Sequence, residues 1–275
     1  MAPKPTATRS LSTAGIMVTT LIALTPAVAL QLWFAGAAWA LTLSMSCALA
    51  LLLEAVALRL RGRPVGYHLQ DGSVLVTAVL LSLFLPIWAP WWLTASGIAL
   101  AVVVGKHIYG GLGQNLFNPV LLAYLGLSVL FADHMGNDIS SMSDSALFHL
   151  YALTFALLAG GVYLLLRGII SWHIPATMLL ATGLLSYVFD LALSGSVAML
   201  AAFFLATDPV TSPGTRTGKL VFGLMIATIS VALGTWLTYP VAVAAAGLLM
   251  NAAVPALDHI LRPARKPKQQ QENAQ

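Results

Sequence analysis

The sequence predicts an all-α integral membrane protein with about ten transmembrane helices, and three observations predict it. Hydrophobic residues fill 59% of the 275 positions and charged ones 8%, with a mean hydropathy of +0.88; these values suit a membrane chain and not a soluble core of this length. Apolar runs of about 20 residues, one bilayer crossing each, recur along the chain. The charges fall between the runs, as expected when a charged side chain at the centre of a bilayer helix costs roughly 2.5 to 3.5 kcal/mol.

In order, the predicted helices cover residues 14–36, 39–58, 73–88, 91–105, 117–131, 147–166, 174–190, 197–206, 220–238 and 240–257. The third, fourth, fifth and eighth are short or interrupted by Gly and Pro, so a re-entrant segment is an alternative for any one of them. With the N-terminus inside, Lys4, Arg9, Arg59, Arg61, Arg63, Lys106, Arg167, Arg216, Lys219, Arg262, Arg265, Lys266 and Lys268 all fall on the cytoplasmic side, which is every basic residue of the chain. The opposite side receives Asp133, Asp138, Asp144 and Asp190. This asymmetry follows the positive-inside rule and predicts a multi-pass protein with both termini cytoplasmic.

Three regions follow: a cytoplasmic N-terminal segment at 1–13, a polytopic membrane domain at 14–257 and a basic tail at 258–275. The tail, "RPARKPKQQQENAQ", reads as disordered and faces anionic lipid, not nucleic acid. The first 30 residues also have the basic head and small-residue "AVA" of a signal peptide, but the apolar run continues through Trp33 and Phe34. A single cysteine, Cys47, allows neither a disulfide pair nor the thiolate set of an iron-sulfur cluster. No metal site is expected.

"DGSVLVTAVLLSLFLP" from Asp71 and "SGSVAMLAAFFLATDP" from Ser194 resemble each other and open the third and eighth predicted helices. Five helices precede the split, so the halves would insert with opposite orientation, a 5+5 inverted repeat. Such repeats place sites at the midplane, between discontinuous helices whose freed backbone groups line a cavity.

Two polar breaks interrupt the apolar chain. In "GKHIYGGLGQNLFNP", Gly105 to Pro119, the glycines follow a membrane helix and lack the third glycine of a dinucleotide fingerprint; a phosphate-binding P-loop fails as well. Asn115 and Asn118 precede Pro119, which suits the first position of a helix, and exposed amides at such a start suit an anion or a polar ring edge. A plain cytoplasmic turn capped by Asn118 is the alternative. In "ATDPVTSPGTRTGK", Asp208 reads either as a turn before Pro209 or as a carboxylate inside the bundle that binds a cation or a ring N–H. Glu54, close to Arg59, is expected to pair with a loop arginine. Asp71 is expected to cap the third helix.

These same stretches, with "ISWHIP" and above all "FFLATDPVTSPGTRTGKLVFG", resemble the D subunit of Rnf electron-transport complexes and its relative, the B subunit of sodium-pumping NADH:quinone oxidoreductase, from about Arg59 to Asn251. The ordered pair of patterns, K-H-x-x-G-G-x-G-x-N-x-F-N-P and T-D-P-x-T-S-P-x-T, carries the resemblance. It implies a ten-helix, urea-transporter-like membrane protein of the bacterial inner membrane that carries flavin and couples electron flow to Na+ or H+ movement. Its partners would be other membrane and peripheral subunits, which would oxidise NADH or ferredoxin.

The resemblance also implies covalent FMN on a threonine of an S-G-A-T element, but here the nearest match is Ser143, Asp144, Ser145 and Ala146. The acceptor position falls on alanine, in a shortened loop. Ser145 is a weak substitute, because Asp144 and Asp138 would repel a phosphate. A noncovalent riboflavin or FMN remains open, with Lys106, His107, Asn115, Asn118, Thr207 and Asp208 lining the inner half of its site. Alternatives are a small-solute channel or carrier and a flavin-free structural subunit.

Overall fold

The computed structural model describes residues 12–111, 113–135, 144–191 and 193–261. Lys4, Arg9, Asp138, Ser143, Arg262, Arg265, Lys266 and Lys268 lie outside them. Among the described residues every regular element is helical. The helices are α1 (Thr13–Leu60), α2 (Val65–Leu69), α3 (Ser73–Phe84), α4 (Trp91–Ala99), α5 (Pro119–Leu130), α6 (Asp144–Leu166), α7 (His173–Val188), α8 (Gly195–Leu200), α9 (Arg216–Leu233) and α10 (Tyr239–Ile260). A π-helical turn continues α4 over Leu100–His107 and another continues α8 over Ala201–Leu205, and a 3-10 turn covers Ala132–His134. Helices α1, α6, α9 and α10 are long and apolar enough to cross a membrane.

A straight 48-residue helix would run about 72 Å, more than twice a bilayer's hydrocarbon core. Gly36 breaks α1 with φ 61° and ψ −145°, a conformation that an L side chain rarely adopts. The arms 13–35 and 37–60 fold back on each other: Met17 packs beside Gly72, while Glu54 near the far end bonds Lys106, which also bonds Ser73. The two predicted helices at 14–36 and 39–58 are thus one element bent at a glycine.

Helix α3 is buried on nearly every side, as is the α8 segment with its π turn, the state expected of helices apolar all round. Around them α1 packs on α3 and α6, α6 on α8, α7 on α9, and α10 on both α5 and α9. Small residues allow the close approaches. A Cβ on Gly160 would meet the carbonyl oxygen of Ala23, and one on Gly161 would meet the ring of Phe203, the packing mode of membrane helices with small residues at their contacts.

The bundle has two ends. The starts of α3 and α5 and the ends of α1, α6 and the α8 segment meet at one, with Arg59, Arg61, Arg63 and Lys106 nearby. The end of α3 meets the starts of α6, α8 and α10 at the other, close to Asp144 and Asp190. We call these the basic and acidic ends. Trp33, Trp88, Trp91, Tyr187 and Trp236 are exposed near the acidic end, as in the aromatic belt at a membrane interface.

Candidate functional site

At the basic end, local sequence shapes the polar breaks. Asn118 caps α5: its Oδ1 accepts from the N–H of Val120 at 2.9 Å and of Leu121 at 3.3 Å, and Pro119 takes the first helical position. Asp71 caps α3 through the Ser73 N–H at 2.7 Å. Asn118 thus makes the capped turn that is the alternative reading of its stretch, and Asp71 bonds the first turn of α3 from one residue before its Gly72 N-cap. Asp208 makes its turn as well, its Oδ1 accepting from the Val210 N–H at 3.0 Å.

Tertiary contacts then tie the two breaks together. Asn118 Nδ2 donates to the Leu205 carbonyl at 3.2 Å and to Asp208 Oδ2 at 3.3 Å. Asn251, buried in α10, accepts from the Asn118 N–H at 3.0 Å and donates to the Thr211 carbonyl at 3.0 Å. Thr207 donates back to the Phe203 carbonyl, and Asn115 to the Phe117 carbonyl. Asp208 therefore makes the turn and also lines the cavity between the two breaks. It forms no ion pair among the described residues; desolvation pushes its carboxyl above the usual carboxylate range, against the pull of the Val210 N–H and the Thr211 hydroxyl.

Lys106, Asn115, Asn118, Thr207 and Asp208 line one cavity of ≈ 150 Å³, together with Ser73 and Phe203. His107, the sixth predicted residue, is buried beside it. The expected pairing of Glu54 with a loop arginine is corrected. Glu54, 3% exposed, receives Lys106 Nζ on Oε1 at 2.8 Å and lies 2.9 Å from His107 Nε2 through Oε2. Lys106 Nζ also donates to Ser73 Oγ at 2.9 Å. The reason is geometric: the π turn over Leu100–His107 delivers both residues inward, at the level of Glu54 on the second arm of α1. A carboxylate only accepts, so His107 Nε2 carries the proton, and its buried Nδ1 has no partner.

Both π turns end where a polar break begins, as π turns often do at functional sites. Asn251 is a member of this hydrogen-bond network that sequence reasoning missed; its signal is an amide inside an otherwise apolar helix.

A second cavity, ≈ 600 Å³, opens at the acidic end and is lined by Gln31, Phe34, Phe84, Trp88, Ser145, Ala146, His149 and Tyr239 among others. The two cavities share an architecture, because the start of α3 and the end of the α8 segment line the first while the end of α3 and the start of α8 line the second.

These features define a class: a polytopic α-helical membrane protein whose polar site is assembled from broken helices, with a carboxylate facing an internal cavity. The chain matches the family model described as the NQR2, RnfD, RnfE family over residues 1–152 and 140–266, and it belongs to that family. It is 35% identical to the D subunit of the ion-translocating oxidoreductase complex of Ectopseudomonas mendocina, covering 94% of this chain and 93% of that one. Similar proteins of the same name are those of Pseudomonas aeruginosa strain UCBPP-PA14, at 35% identity over 95% and 94%, and Alcanivorax borkumensis, at 33% over 94% of each. The alignment with the first spans 320 positions, more than this chain has, so that relative carries segments absent here. The family match falls in two pieces that meet at 140–152, around the start of α6.

Proposed function

We propose that this chain is the membrane component of an ion-translocating electron-transport complex that corresponds to the Rnf D subunit, and that Asp208 holds the cation in transit. The observation that carries this reading is the Asp208 carboxylate, without an ion-pair partner among the described residues, facing a cavity formed where the two broken helices meet. Lys106 is paired with Glu54, so among the described residues Asp208 is the carboxyl in the cavity lining without an ion-pair partner. Electron input belongs to partner subunits.

The exchanged roles of α3 and the α8 segment in the two cavities support the 5+5 inverted repeat with about ten spans, in a urea-transporter-like arrangement. The collection of basic residues at one end supports placing that end, and both termini, in the cytoplasm of a bacterial inner membrane. The division into 1–13, 14–257 and 258–275 rests on the same topology.

The six predicted site residues offer the amide and carboxylate partners that a flavin edge takes. The cavity they line, however, has the volume of a benzene-sized void, so a three-ring flavin does not fit it in this conformation. We assign Asn115, Asn118, Thr207 and Asp208 to the cation, with Lys106 and His107 fixing Glu54 behind them. Covalent FMN is not expected, because Ala146 has no hydroxyl for a phosphoester.

The test is ion uptake coupled to electron flow in liposomes containing the whole complex. Asp208→Asn should reduce uptake per electron by about tenfold, on the scale of a lost charged contact, with the complex still assembled. Unchanged uptake would leave Asp208 a turn residue. Redox-independent solute flux through the isolated chain would instead favour the channel reading.

A further inference from the structure

Arg59, Arg61 and Arg63 close the second arm of α1 at the basic end, and local structure accounts for the first of them. Arg59 stands in the last turn of α1, where a cation suits the helix C-terminus. Arg61 and Arg63, at the C-cap and beyond it, are both exposed. Their guanidinium groups reach one spot: a Cβ on Gly111 would lie 3.6 Å from Arg63 Nη1 and 4.0 Å from Arg61 Nη1. Gly111, with φ 103°, has no side chain to fill it. Neither arginine has a side-chain hydrogen bond or an ion pair among the described residues. Two like charges drawn to one place repel, whereas an anion between them is attracted by both.

An exposed apolar stripe leads to this spot. Leu52, Val56 and Leu60 recur at four-residue spacing along the second arm of α1, and all three are exposed, Leu60 by 84%. The π turn packs on α1 and exposes Val103 and Ile108, one turn apart, with the Ile108 N–H bonded to the Val103 carbonyl at 3.0 Å. Exposed Tyr67 in α2, just past the arginines, suits the level of a membrane interface. A free anion uses the arginines alone; a ligand with a charged head and an apolar tail uses the stripe as well.

We propose that Arg61 and Arg63 hold the phosphate of an anionic phospholipid in the leaflet at the basic end, with its acyl chains along Leu52, Val56 and Leu60. The phosphodiester accepts from both guanidinium forks, and the arginine stems reach it from the helix end by snorkelling. Phosphatidylcholine carries the same phosphate with a cation attached, so two arginines favour a head without one. The lipid lies outside the segment that delivers Lys106 and His107 inward to Glu54, and it braces that segment against α1. An acidic face on a partner protein also suits two arginines, but it has no use for a stripe that runs into the bilayer.

The experiment adds phosphatidylglycerol or phosphatidylcholine, with identical acyl chains, to the delipidated full-length chain in detergent and counts retained lipid by native mass spectrometry. One phosphatidylglycerol per chain is expected, held at least about tenfold tighter than phosphatidylcholine, since each arginine beside an anionic head contributes about fivefold. Arg61→Gln with Arg63→Gln should remove that preference. Phosphatidylglycerol should raise the thermal midpoint of the parent and not that of this variant. Lys266→Gln with Lys268→Gln, which removes the same charge from the tail, should behave as the parent does. Equal retention of the two lipids, an unchanged preference in the arginine variant, or an equal loss in the tail variant would overturn the proposal. Displacement of the lipid by an equal concentration of inorganic phosphate would overturn it in favour of a soluble anion. Loss of partner subunits from the arginine variant's complex, with its lipid preference intact, would overturn it in favour of an acidic protein face.

Discussion

Asn118 Nδ2 donates to Asp208 Oδ2 at 3.3 Å, joining the start of α5 to the turn after α8 across 90 residues of sequence. The same asparagine caps α5 with its oxygen, so one side chain serves both local and tertiary structure. Asn118→Ala removes the cap and the cross-link together, at a cost of about 2 kcal/mol. Thermal unfolding in detergent should show a midpoint lowered by about 5 °C. Asn118→Asp should keep the cap but place a second carboxylate against Asp208, and coupled ion uptake in the whole complex should reveal that change.

Lys106→Met would leave Glu54 buried with only His107, and loss of one partner from a buried pair costs about 3 to 5 kcal/mol. Glu54→Gln combined with Lys106→Met should be less destabilising than Lys106→Met alone, because no unpaired charge stays inside. A double-mutant cycle read by thermal unfolding checks this; strict additivity would mean that the two residues do not interact.

Gly160→Ala should destabilise by about 1 to 3 kcal/mol, since the added Cβ meets the Ala23 carbonyl in the contact of α6 with α1. Gly183→Ala in α7 has open space around its new Cβ and should be neutral or stabilising by up to about 1 kcal/mol. If the two glycines gave equal effects, the close approach of α6 to α1 would be wrong.

Acid-precipitated protein from flavin-replete cells should show no in-gel flavin fluorescence, because the acceptor position falls on Ala146. A fluorescent band would locate a covalent flavin elsewhere, and Ser145→Ala would then show whether that serine holds it.

Helix positions, Asn118 as a cap and Asp71 as a cap were legible because each depends on residues within a few positions of one another. The π turns were not legible: Leu100–His107 reads as ordinary apolar helix followed by two polar residues, and only packing decides that these point inward. The partner of Glu54 was hidden for the same reason. Arg59 is near in sequence, while Lys106 and His107 become neighbours only when α1 bends at Gly36 and the end of α4 packs on its second arm.

The sequence by itself determined that this is an apolar α-helical membrane chain, that its basic residues collect on one side of the predicted topology, and that two polar breaks interrupt its helices. Composition and spacing carry such information because the bilayer tolerates few charges and no unpaired backbone. The tertiary structure decided which polar groups meet: Asn118 with Asp208 and Asn251, Glu54 with Lys106 and His107. It also set the volumes of the two cavities, ≈ 150 Å³ at the basic end and ≈ 600 Å³ at the acidic end. Distances between segments far apart in sequence, and the space left among them, arise only from packing the whole bundle.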